Sequence, residues 1–419
     1  MGKTFAEKVL AKKAGLDEVV PGQIVTVRPD HLLMHDNTSA IVSKVSEDLK
    51  TYGLVSPDLP IIAIDHVVPA VDEKTALGHA KIREFVETYG VRHFFDVGEG
   101  VCHQIVVEKG LALPGQLVLG SDSHTCMYGA LNVFATGIDR TEAAVLLLTG
   151  ETWLRVPETI RVAISGAFPR GVMGKDLVLR IIGDVGADGA NYMAVEFHGD
   201  LSGLPQDDRF TVANMGIEMG AKLAAFSVDS VTQAYLDEHA PGASYQPIWA
   251  DGDATYRREL AYSLSELEPL VARPHAVDNV TPVSEVKGLP IQQAFLGTCT
   301  NGRLSDLREA ASVLKGKRVA RGVRLLVIPA SRSIFQAALA DGTIADLVDA
   351  GAMVGPPGCG PCLGAHLGLL APGERCISSS NRNFQGRMGS KDAEVFLGSP
   401  LTVAASALTG VLTDPREVL

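Results

Sequence analysis

Long apolar runs are missing from this 419-residue sequence, and the longest, such as AAVLLL at 143–148, fall far short of a bilayer span. The first residues, MGKTFAEKVLAKKAG, hold no apolar stretch ahead of a small-residue cleavage site, so no secretory signal is expected. They begin Met-Gly, but Ala6 stands where a myristoylation motif needs Ser or Thr. The expectation is a soluble, cytoplasmic chain with no membrane partner. Basic charge is also short: 37 Lys and Arg against 49 Asp and Glu leave a formal net charge of −12. That counts against nucleic acid as a partner, which needs a basic stripe, although a few placed arginines can still hold an acidic ligand locally. Cysteine is sparse, at six residues. Without a secretory signal, disulfides lose ground to metal and catalytic roles.

What is present is 46% apolar residue, 43 Gly and 22 Pro, the composition of a compact, loop-rich enzyme of two or three domains. Short apolar runs at 60–66, 91–100, 116–124, 292–302, 323–331 and 374–384 end in polar or glycine clusters and read as strands. Helices are expected at 139–149, 174–182, 209–220, 332–340 and 399–409. Continuous apolar strands alternating with helices predict doubly wound α/β layers with parallel sheets. A Pro-bearing passage at 152–166 and a polar linker at 272–290 suggest boundaries, giving α/β domains at 1–157, 158–284 and 285–419.

Four polar clusters each follow an apolar strand: DH at 65–66, DSH at 122–124, GTCTNG at 297–302 and NRNF at 381–384. Ligands of open α/β sheets bind beyond the carboxyl ends of strands, so one composite site is expected. Cys359 and Cys362 stand in GPPGCGPCLGAH, and Cys299 in LGTCTNG. Thiolates suit zinc and iron–sulfur clusters. A structural zinc wants a fourth ligand, for which His366 and Cys376 offer no familiar spacing. A dithiol pair would normally open a helix in a small redox domain. A three-cysteine cluster, zinc and an inert buried pair therefore all stay open on spacing alone. Cys102, Cys126 and Cys376 read as ordinary buried thiols. Asp122, Ser123 and His124 are consecutive, which does not suit a Ser-His-Asp relay, and no G-x-S-x-G elbow is present.

Taken together, GTCTNG, GCGPC, DSH, the DH after a strand, GEGVCHQ (98–104) and SSNRNFQGRMGS (379–390) resemble the aconitase superfamily, in order and over essentially the whole chain. The resemblance is closest to its separate large subunits. It implies three doubly wound α/β domains of the aconitase type around a central [4Fe–4S] cluster with one labile iron, held by Cys299, Cys359 and Cys362. It further implies dehydration and rehydration of a malate-type hydroxy acid. His66 would give a proton to the leaving hydroxyl, with Asp65 orienting it. Asp122, Ser123 and His124 would surround the water and the substrate. His103 and Glu218 would form a second His–carboxylate pair, with Asn214 one turn before Glu218 on the same helix face. Arg382 and Arg387 would bind substrate carboxylates, as planar guanidinium forks do, and Asn381 would lie by the cluster.

The family's single-chain members carry a further mobile domain with a serine base and an arginine. No matching block is found after TDPREVL, so the expected partner is a small subunit bearing that mobile domain and the catalytic base. For two-subunit members of this length 3-isopropylmalate is the first expected substrate, homocitrate the second and methylated malates the third. Two rivals of other kinds weaken on the residues. An RNA-binding iron sensor lacks a basic stripe, and GCGPCLG lacks the spacing of a dinucleotide fingerprint.

Overall fold

A computed structural model describes residues 2–419. The chain opens with β1 (Ile24–Val27) and continues through β2 (His31–Met34), β3 (Pro60–Ala63), β4 (His93–Phe95), β5 (Leu117–Gly120) and β6 (Phe134–Gly137). Strands β2 to β6 make a five-stranded sheet in the order β4-β3-β2-β5-β6, parallel throughout. The runs PIIA and LVLG are buried along their whole length, as strands covered on both faces require. β7 (Thr152–Arg155) returns antiparallel to β1. A second parallel sheet, ordered β10-β9-β8-β11, is built from β8 (Thr159–Ser165), β9 (Ala194–Gly199), β10 (Leu223–Phe226) and β11 (Arg258–Ser263).

The third sheet has seven strands: β12 (Leu270–Ala272), β13 (Val280–Pro282), β14 (Gln293–Gly297), β15 (Arg324–Ile328), β16 (Met353–Val354), β17 (Arg375–Ser378) and β18 (Glu394–Leu397). Their order is β13-β12-β18-β17-β14-β15-β16, parallel from β18 to β16, with β12 and β13 antiparallel at one edge. Each apolar run expected to be a strand contains one, three to five residues long and lying toward the start of the run. The expected linker at 272–290 is instead structured. β12 and β13 form a hairpin that joins the third sheet, and three-residue strands are too short to show a period of two. The expected helix at 209–220 is two elements: an α-helix, Gln206–Asn214, then a 3-10 turn, Met215–Met219. Among the described residues, no helix is long and apolar enough to cross a membrane.

One buried cluster spans all three sheets. It runs from Val101–Val107 through Phe197, Phe210 and Phe226 to Phe295 and Leu326, and it includes Cys299, Cys359 and Cys362. The strand ends therefore converge on a single shared core.

Candidate active site

A cavity of 290 Å³ lies where the sheets meet. His35 and Asn37 enter it after β2, His66 after β3, Ser121 to His124 after β5, Thr298 and Cys299 after β14, Cys359 and Cys362 after β16, and Asn381 and Arg382 after β17. His103, Arg140, Leu363 and Arg387 complete the wall. Of the residues singled out in the sequence, Asp65, Asn214 and Glu218 stand behind it, each bonded to a residue that faces it.

The cysteine loops are shaped by crowding. A Cβ on Gly297 would lie 2.5 Å from the Ile328 carbonyl oxygen, and one on Gly302 would lie 2.8 Å from both the Ile328 and Thr298 oxygens. Thr298 is left with φ +75°, a left-handed conformation rare for a β-branched residue. Gly358 packs against the Asp65 carbonyl, which accepts the Cys359 N–H at 3.0 Å. Gly364, at φ +70°, leaves no room for a side chain, since its Cβ would sit 1.9 Å from the Arg387 oxygen. The three thiols are buried and free. Asn214 Nδ2 donates to Cys299 Sγ at 3.3 Å, and the Cys362 thiol lies 3.5 Å from Asn381 Oδ1. Burial pushes the Cys299 thiol up to about 12 and that of Cys359 higher still.

The donor set fits a polynuclear centre better than a single ion. Among the described residues, the tight groups whose ligand atoms lie within 4.8 Å of one another are His35/Asp36/Asp65/His66 and His103/Asp122/His124. The three cysteines are not such a group, yet they border one cavity, which suits sulfurs spread around a cluster.

The histidines are held by carboxylates. His66 Nδ1 lies 2.7 Å from Asp65 Oδ1, while Asp65 Oδ2 accepts the Cys102 N–H at 2.7 Å. His66 Nε2 is 3.5 Å from Asp122 Oδ2. Burial would lower the pKa of His66, but Asp65, Cys359 and Asp122 outweigh it and raise it well above the usual value. The expected His103–Glu218 pair is not formed. His103 Nε2 meets Asp122 Oδ1 at 2.7 Å, and His124 Nε2 meets Glu218 Oε1 at 2.9 Å. Nor do Asn214 and Glu218 share a helix face. The change to three residues per turn at Met215 turns Asn214 toward Cys299 and Glu218 toward His124. Burial raises the Asp122 pKa, yet His103, His124 and His66 hold it well below the carboxylate range.

Arg382 is clamped: Nε donates to Glu218 Oε1 at 2.8 Å and Nη2 to Ser123 Oγ at 3.0 Å. Arg387 is not, and its Nε is buried with no hydrogen-bond partner. A buried, unmatched guanidinium donor on a cavity wall calls for an anion.

Sequence reading missed His35 and Asp36. His35 stacks on His66 with ring centroids 3.8 Å apart, and its Nδ1 has no partner. Burial and the neighbouring His66 lower its pKa to about 4. Asp36 accepts the backbone N–H groups of Asp65, His66 and Val67 at 2.9, 2.8 and 3.1 Å. The signal was there: HDN follows directly on the apolar LLM of β2, as the other clusters follow their strands.

The family model for the aconitase family (aconitate hydratase) matches residues 7–290 and 284–410. The chain belongs to the aconitase family. It is 49% identical over 420 residues to "3-isopropylmalate dehydratase large subunit 1" of Methanopyrus kandleri, covering 100% of both chains. It is 48% identical over 390 residues to "Probable methanogen homoaconitase large subunit" of Methanosarcina mazei, covering 93% of this chain and 99% of that one. Among solved structures, the holo-form of Thermococcus kodakaraensis aconitase X is similar with TM-score 0.51 over 88% of each chain. At 11% identity that likeness speaks for the fold of this aconitase-family chain alone.

Proposed function

We propose that this chain is the large subunit of 3-isopropylmalate dehydratase, with three α/β domains grouped around a [4Fe–4S] cluster held by Cys299, Cys359 and Cys362. The domains follow the expected 1–157, 158–284 and 285–419, except that the hairpin at 270–282 goes with the third. The observation that carries the reading is one cavity bordered by three free buried thiols, two His–carboxylate sets and an unpartnered Arg387 donor. When bound, such a cluster supplies a Lewis-acid iron, labile because no cysteine holds it, for the substrate's hydroxyl and carboxylate. The remaining work is done by side chains. Arg387, and Arg382 braced by Glu218 and Ser123, hold the substrate's carboxylates in fixed orientation. His66, fixed by Asp65 through Nδ1, carries its proton on Nε2 toward the cavity. It delivers that proton to the departing hydroxyl, so that the C–O bond breaks with release of water. Asp122 lies between His66, His103 and His124 and keeps the three rings oriented for water to return at the adjacent carbon. The base that removes the carbon-bound proton is assigned to a small subunit, the partner that the relatives' name "large subunit" implies.

A homocitrate-processing reading has one specific support, the 48% identity to the homoaconitase-named chain. The test is anaerobic: the chain is reconstituted with iron and sulfide, joined to its small subunit, and compared on 3-isopropylmalate and homocitrate. Preferential turnover of 3-isopropylmalate is expected. Preference for homocitrate would replace the substrate assignment, and failure of the chain to take up iron and sulfide would remove the cluster assignment.

A further inference from the structure

Among the described residues, three large cations are sealed inside the molecule: Arg209, Arg303 and Lys175. Arg209 is matched, donating from Nη1 and Nη2 to the two oxygens of Asp229 at 2.7 Å each. The other two have no such paired carboxylate. Lys175 Nζ donates to the backbone oxygens of Ser379 at 2.8 Å and Ser380 at 2.5 Å. Arg303 donates to Gln104 Oε1 at 3.1 Å and to the backbone oxygens of Cys299 at 2.6 Å and Thr300 at 2.8 Å. No carboxylate takes part in these bonds.

The position of Lys175 makes the imbalance sharper. It sits in the first turn of the helix Gly174–Val185, the positive end of the helix dipole, where a cation is disfavoured. The adjacent Asp176 makes no hydrogen bond to it. That carboxylate is occupied by the N–H groups of Met173 and Leu270, both at 2.9 Å. Burial lowers the Lys175 pKa to about 7, against the pull of Cys362, Asp306, Cys299 and Asp176. An apolar residue would fill the same volume without the cost of an uncompensated buried charge.

What the lysine holds explains why a charge is there. Ser379 and Ser380 run directly into Asn381, whose amide reaches Cys299 Sγ at 3.8 Å and Cys362 Sγ at 3.5 Å. Ser379 Oγ also accepts the Gly297 N–H at 3.0 Å, at the start of the Cys299 loop. Lys175 and Arg303 thus grip the backbones of the loop leading into Asn381 and of the loop that carries Cys299. Asp306 is a buried carboxylate near both cations but takes no bond from either side chain, and three thiolates around an iron–sulfide core would add the further negative charge that faces them.

We infer that Lys175 is a positioning and counter-charge residue for the anionic centre. In the loaded chain the cluster compensates Lys175, and in the empty chain Lys175 is a destabilising charge. This rests on the ligand assignment proposed above.

The test uses the full chain and its K175M variant, each apo and after anaerobic loading. Iron and sulfide per chain, the cluster's midpoint potential and the melting temperature are read. Apo K175M should melt no lower than the apo wild type. Loading should raise the melting temperature less in K175M than in the wild type, and the midpoint potential of K175M should shift negative. Equal rises with equal potentials would overturn the inference while leaving the cluster ligands standing. So would an apo K175M that melts well below wild type or fails to fold, because the lysine would then be a plain structural anchor. A wild-type chain that loads no iron and sulfide would overturn both this inference and the ligand assignment.

Discussion

Asp36 accepts three consecutive backbone N–H groups, from Asp65, His66 and Val67, and meets His79 Nε2 at 3.0 Å. Burial opposes its charge, but His79, His66 and those N–H groups prevail and hold its pKa below the ordinary 3.8. A depressed carboxylate contributes stability that is complete above its unfolded value. That contribution is lost as the pH falls from 3.8 toward the folded value. Asp36→Asn should therefore cost about 1.5–3 kcal/mol at neutral pH, the range for hydrogen bonds to a charged group. It should also flatten the acid limb of the stability curve. Urea melts at pH 7 and pH 3 check both, and parallel curves for the two proteins would show that Asp36 is not responsible. His66 makes a different prediction. His66→Ala should leave iron content and the visible spectrum as in the wild type, while kcat of the assembled enzyme falls by about 10²–10⁴-fold, the span of general-acid catalysis. Loss of the spectrum would move His66 from proton transfer to site assembly.

At the scale of elements, two glycines with the same φ separate conformation from crowding. Gly364 and Gly316 both have φ +70°, but a Cβ at 364 strikes the Arg387 carbonyl while one at 316 meets open space. Gly316→Ala should cost only about 1–2 kcal/mol, the price of left-handed backbone for an L-residue. Gly364→Ala should cost more and reduce bound iron, because it displaces the loops carrying Cys362 and Arg387. Thermal melts with iron analysis decide it, and equal costs with equal iron would dismiss the crowding. Element identity was readable where hydrophobic runs were long: β3, β5, β14, β15 and β17 each lie within an expected strand. It failed where geometry changes within a run. The 3-10 turn after Asn214 rotates Glu218 off the face that a uniform helix would give it. The hairpin β12–β13 gains its identity from β18, a partner more than a hundred residues away, and not from its own pattern.

For the whole molecule, the site's location was legible because every cluster stands at the end of a buried strand, and parallel sheets direct such ends to common ground. Which residues pair across that ground was not, since His103 meets Asp122 between loops of non-adjacent strands of the first sheet, and Glu218 meets Arg382 across the second and third sheets. The assembly prediction belongs at this scale. The loaded chain alone should bind iron yet turn over 3-isopropylmalate at less than about a hundredth of the rate with its small subunit, if one missing base accounts for the loss. Equal rates with and without the partner would place the base within this chain.

The Asp65 peptide has consequences for anyone altering this protein. Its carboxylate steers His66, and its carbonyl receives the N–H of Cys359, with Gly358 wedged against Asp65 and Val68. The proton donor and the cluster ligand proposed above are thus neighbours through one residue, Asp65. Substitutions at 64–68 and at 357–360 should be inherited as sets and not singly, and their double-mutant energies should fail to add. A laboratory lineage selected for a new substrate would be expected to acquire changes in those two segments together.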